Sequence, residues 1–100
     1  MKKIFKLKYT DLAKQQFNEL QKNRSKLVQY KAVGKALARM QMDLRHPALN
    51  THEYDKLSRQ KGYKVFESYA QIKTPGAYRI FWRYGPGQDE IEIITIIPHP

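Results

Sequence analysis

The sequence contains no cysteine. That excludes a disulfide framework and any thiolate-held zinc site, and it gives no sign of an oxidising compartment. No apolar run is long. The most apolar stretch, Ile91 to Pro98, is far short of the roughly 20 residues a membrane-spanning helix needs. The opening MKKIFKLKYT has the charge of a secretory leader, but no apolar segment follows it. Acidic residues are scarce, 9 Asp and Glu against 19 Lys and Arg, which leaves a net charge of +10. Together these absences point away from secretion and the membrane, towards a cytoplasmic protein with a polyanionic partner.

What is present suffices for one core. Apolar residues make up 41% of the 100 and aromatics 12%, too many for a disordered basic tail. The length fits a single domain over residues 1–100. The charge is uneven: residues 1–45 hold 12 Lys and Arg against 3 Asp and Glu, whereas residues 46–100 hold 7 against 6. A basic half of this kind attracts phosphate backbones without sequence preference, and it serves an acidic protein partner equally well.

Periodicity supplies the elements. Lys2 to Tyr9 alternates as a short strand. Thr10 and Asp11 offer a cap to a helix running to Asn23, with Ala13, Phe17 and Leu20 on one face. Ser25 is a candidate cap for a second helix, whose stripe is Leu27, Tyr30, Val33, Leu37, Met40 and Leu44. Met40 belongs to the core and Met42 does not. Arg45-His46-Pro47 ends that helix, and the segment to Gly62 reads as an irregular loop pinned by Leu49 and Leu57. Tyr63 to Ala70, Ala77 to Tyr84 and Glu90 to Ile97 read as strands separated by turns at Thr74-Pro75-Gly76 and Gly85-Pro86-Gly87-Gln88. The order β-α-α-β-β-β predicts an α+β domain. A helical hairpin would cover one face of a twisted, mainly antiparallel four-stranded sheet.

These features resemble the RelE/ParE superfamily of toxins from type II toxin–antitoxin pairs. The matching residues are Arg45-His46-Pro47 with Leu49, Gly62-Tyr63-Lys64-Val65, Ala77-Tyr78-Arg79-Ile80 and the terminal Ile96-Ile97-Pro98-His99. The likeness covers essentially the whole chain, and the RelE branch is favoured. It implies a ribosome-dependent mRNA endonuclease that inhibits translation without cofactor or metal, by turning the RNA 2′-OH on the adjacent phosphate. Such a site needs a base, a cation for the phosphorane and an acid for the leaving oxygen. Carried over by position, Arg79 is the third-strand arginine, Lys64 the second-strand lysine and His99 the C-terminal proton carrier. The implied partners are a cognate antitoxin protein, mRNA on the ribosome, and operator DNA only through the antitoxin. Two departures stand out. The further arginine or tyrosine that many members carry after the last strand is absent before Pro100, and Phe66 occupies the place of a second lysine. The ParE branch instead poisons DNA gyrase, and a toxin-derived, non-catalytic partner or co-repressor is the other alternative.

The residues themselves give RNA contacts on an open sheet face. Arg79 and Arg83 alternate with Phe81, the cation-and-aromatic pattern of single-strand binders. Phe66 is expected on that open face with Phe81, and Arg45 adds a cation at the end of the second helix. Glu67 is either a base beside Arg79 or a cross-strand ion-pair partner. With a five-residue loop after Tyr84, Arg79 pairs with Thr95 and His99 falls on the same face, about 13 Å further along the strand; with a four-residue loop it does not share that face. His46 and His52, in the loop and without a helical i,i+4 pair, do not suggest a metal site.

Overall fold

The computed structural model describes residues 4–99. Lys2 and Lys3, where the first strand was expected to begin, and Pro100 lie outside the described residues. The first strand, β1 (Lys6–Tyr9), leads directly into α1 (Asp11–Lys22). The Thr10 hydroxyl oxygen accepts the Ala13 N–H at 3.0 Å and its proton goes to the Ile94 carbonyl at 2.7 Å. One side chain therefore both caps the helix and ties it to the sheet. Asp11 in the first turn and Lys22 in the last complement the helix dipole.

A 3₁₀ turn (Arg24–Lys26) connects to α2 (Leu27–Met42). Ser25 does not cap α2. The cap in this connection is Asn23, whose side chain accepts the Ser25 N–H at 3.0 Å and holds the 3₁₀ turn. Met40 is fully buried and Met42 half exposed, as the stripe requires.

The segment expected to be irregular is built. A 3₁₀ turn at Pro47–Leu49 is capped by the His46 ring, then come a two-residue strand β2 (His52–Glu53) and a helix α3 (Asp55–Lys61). Gly62, at φ 77°, ends α3 in the left-handed conformation that a side chain disfavours. Three longer strands follow: β3 (Phe66–Tyr69), β4 (Tyr78–Tyr84) and β5 (Glu90–Pro98).

Among the described residues the fold is therefore α+β with three α-helices and five strands, not two helices and four strands. The sheet order is β1-β5-β4-β3-β2, with β1 parallel to β5 and the other neighbours antiparallel. The extra strand and helix come from residues 52–61.

Alternation along the strands divides the core in two. Trp82, Ile80, Ile91, Ile93 and Ile96 form one cluster with Ala13, Leu20, Val33, Ala36, Leu37 and Met40 of the first two helices. Residues of the other parity, Val65, Phe81 and Ile94, form a second cluster covered by Tyr54, Leu57 and Ile97. A β-bulge sits between them in β5: Trp82 pairs with Ile93 but Phe81 pairs with Thr95, so Ile94 is the extra residue.

Among the described residues, no helix is long and apolar enough to cross a membrane.

Candidate functional site

The bulge decides which residues meet. Beyond it, Arg79 pairs with Ile97, not Thr95, and the His99 N–H donates to the Ala77 carbonyl at 2.7 Å. Period two then puts His99 on the Arg79 face, two residues past the partner of Arg79 where four were expected. That is about 7 Å along the strand, a diagonal neighbour within reach of long side chains.

On the other side of Arg79 the ladder brings Tyr69 directly opposite on β3, and Glu67 opposite His52 on β2. The imidazole Nε2 of His52 lies 2.7 Å from Glu67 Oε1, and its Nδ1 lies 2.9 Å from the Asn50 carbonyl. A carbonyl can only accept, so Nδ1 carries the hydrogen of that contact and Nε2 faces the carboxylate. The Glu67 side chain is 5% exposed and that of His52 45%, so a buried carboxylate orients a half-exposed ring.

Arg79 does not stand on an open face as expected; it is 8% exposed. Its Nη1 donates to the Gln71 carbonyl at 2.6 Å and to the Tyr78 carbonyl at 3.3 Å. Its guanidinium carbon lies 3.6 Å above the centre of the Tyr69 ring. Its Nε is 3.7 Å from Glu67 Oε2, close enough for charge attraction but too far for a hydrogen bond, and that Nε has no hydrogen-bond partner. Glu67 thus faces both the Arg79 guanidinium and the His52 ring. A carboxylate out of water needs such neighbours, because its desolvation is costly unless compensated.

Phe81 is not available for stacking on a base. It is 2% exposed, and the Tyr54 ring packs on it edge-on at 5.0 Å. Tyr54 and Leu57, from the segment expected to be a loop, cover the face that was expected to be open. Phe66 is on the opposite side of the sheet from Phe81, stacked on Trp82 at 5.0 Å, so the two never share a surface.

Lys64 is separate from Arg79 and His99. It is exposed and stands with Arg83 and Tyr84 at one end of β4, whereas His99 is anchored to Ala77 at the other. The seven residues of β4 span about 23 Å between them, too far to share one phosphate.

Lys64 instead joins most of the expected RNA contacts. A hollow of about 480 Å³ is lined by Arg45, His46, Phe66, Trp82 and Tyr84 among others. A second, of about 380 Å³, is lined by Tyr63, Lys64, Phe66, Arg83 and Tyr84. Phe66 and Tyr84 wall both, making one groove. Arg83 is partly committed there: its Nε donates to Glu92 at 2.9 Å and its guanidinium lies over Tyr63 at 4.6 Å.

Two centres therefore exist, one at each end of β4. His52, Glu67, Tyr69, Arg79 and His99 gather at the Tyr78 end, and the basic aromatic groove lies at the Tyr84 end. Among the described residues, no three His, Asp or Glu side chains converge as metal ligands. Sequence reasoning did not find His52 as a site residue, because β2 is too short for alternation to be visible.

No protein family, no curated protein and no solved structure matches this chain.

Proposed function

We propose that this chain is a RelE/ParE-like toxin that cleaves mRNA on the ribosome, with the cluster at the Tyr78 end of β4 as its working centre. The observation that carries the reading is the gathering of His52 and Arg79 about Glu67, His52 directly across from it and Arg79 diagonal to it, with His99 diagonal to Arg79 on the same face. The uneven basic charge and the order of strands and helices support it. The layout in which α1 and α2 form a hairpin over one face is part of the same reading; on the other face Tyr54 and Leu57 cover Phe81, and the Tyr78 end of β4 is the part left for function.

In this scheme the RNA 2′-oxygen forms a bond to the adjacent phosphorus while the bond from phosphorus to the 5′-oxygen breaks. A cyclic phosphate and a 5′-hydroxyl result. One proton leaves the 2′-OH and one reaches the departing oxygen, so the step is balanced without a co-reactant. His52 and His99 are the groups at the surface, suited by type to move those protons. Glu67 and Arg79 lie beneath them. Glu67 orients the His52 ring, and Arg79 supplies buried positive charge next to the developing phosphorane. Lys64 takes no part in the chemistry. The antitoxin partner, and operator DNA reached through it, belong to the same proposal.

A second reading has its own observation. Both His52 nitrogens are engaged and Arg79 is buried, which also describes an ion-pair network with a purely structural role. On that reading the chain is a gyrase poison or a non-catalytic toxin-derived partner.

A primer-extension map of an mRNA, with and without ribosomes and with purified protein added, separates the two. Cuts within codons that need ribosomes uphold the nuclease. An intact message in both reactions overturns it.

A further inference from the structure

The groove at the Tyr84 end of β4 is built for a ligand that is both flat and anionic. Tyr84 is 54% exposed, and its ring is held by Phe66 at 5.5 Å and Trp82 at 5.0 Å, both near perpendicular to it, and by Phe5 at 6.1 Å. More than half of a large aromatic residue is thus open to solvent at the end of a strand, on a support of three other rings. Around it stand Arg45, Lys64 and Arg83, and no Asp or Glu is among the described residues lining either hollow. Glu92 neutralises Arg83 in part, but neither Arg45 nor Lys64 has a carboxylate partner among the described residues. The His46 Nδ1 accepts the Ala48 N–H at 3.1 Å, so in the neutral ring Nε2 carries the hydrogen and is a donor.

We propose that this groove binds an unpaired stretch of nucleic acid, with a base stacked on Tyr84 and phosphates drawn to Arg45 and Lys64. Stacking on an aromatic ring is open to any base but needs its face uncovered, which a duplex does not offer. A hollow of about 480 Å³ is in the range that small ligands the size of a nucleotide occupy. An acidic peptide would satisfy the cations but leave the exposed ring without use. That the strand is RNA rests on the function proposed above; the groove's own chemistry requires only that it be single-stranded. The groove lies a β4 length from the His99 cluster, so it would hold a segment remote from the scissile phosphate and not the phosphate itself.

The test is fluorescence anisotropy of the full chain with a labelled single-stranded RNA of about eight nucleotides, a length one small domain can cover. Tyr84→Ala is expected to weaken binding about tenfold, and Tyr84→Phe to retain it. Arg45→Ala and Lys64→Ala are each expected to weaken binding and to lower the salt slope by about 1. Lys31→Ala, which removes an exposed cation of α2, should leave binding unchanged. The proposal is overturned if Tyr84→Ala binds like the parent, if Lys31→Ala costs as much as Lys64→Ala, or if an RNA duplex of equal length binds as tightly as the single strand. Binding here involves no cleavage. A chain that binds through Tyr84 but cuts no message upholds the groove and overturns the nuclease. A chain that cuts while Tyr84→Ala binds normally does the reverse.

Discussion

Arg79 sits over the ring of Tyr69, its direct cross-strand neighbour, with 3.6 Å between the guanidinium carbon and the ring centre. The contact explains how an arginine that is 8% exposed is tolerated: the ring face compensates part of the charge that water would otherwise solvate. In a desolvated setting such a contact is worth about 2 kcal/mol. Tyr69→Ala should therefore lower unfolding stability in urea by about that amount or more, since ring packing is lost too. Tyr69→Phe keeps the ring and should cost much less. Equal losses from the two variants would show that the hydroxyl, not the ring, matters.

The pairing of Glu67 with Arg79 and His52 leads to a test of compensation. Arg79→Met leaves a buried carboxylate with one cation fewer, and breaking such a pair costs about 3–5 kcal/mol. Glu67→Gln combined with Arg79→Met removes both charges and should recover much of that loss. Denaturant melts of the single and double variants measure the coupling directly. A double variant as unstable as the sum of the singles would show that Arg79 is held by its carbonyl and ring contacts alone.

Tyr9 gives a pH prediction. Burial raises its phenol above the ordinary value of 10.0, so the folded chain keeps the proton at pH values where the unfolded chain loses it. The associated stability is complete below pH 10 and falls as pH rises through the window from there to the folded value. Tyr9→Phe has no phenol to ionise, so its stability should decline less steeply across that window. Parallel slopes for the two proteins above pH 10 would remove Tyr9 as a contributor.

The parts of the fold legible in the sequence are those with long periods. The α1 and α2 stripes, the Thr10 cap and the alternation of β4 each involve enough residues to be unambiguous. The segment at 52–61 is not of that kind. A two-residue strand has no period, and α3, with Leu57 as its one apolar residue, shows no stripe. Without it, the covering of Phe81 by Tyr54 and the contact of His52 with Glu67 are not visible in the sequence. The bulge left a trace in the doublet Ile93-Ile94, where strict alternation breaks, but a second doublet follows at Ile96-Ile97 and two identical neighbours do not say which residue is extra. The pairing of β1 with β5 joins the two ends of the chain, and no local pattern encodes it. Arg79 and His99 were legible as a pair; their geometry was not, because it depends on the bulge.

The central claim is that the His99 end of β4, not the Lys64 end, performs the chemistry. The direct measurement is the rate of ribosome-dependent cleavage of a single mRNA by the parent chain, His99→Ala and Lys64→Ala at saturating protein. Loss of a proton carrier slows the step about 10²–10⁴-fold, so His99→Ala should fall by at least the lower figure while Lys64→Ala at saturation keeps the parent rate. A His99→Ala chain that cuts at the parent rate, or a Lys64→Ala chain that falls as far as His99→Ala is predicted to, would contradict this account.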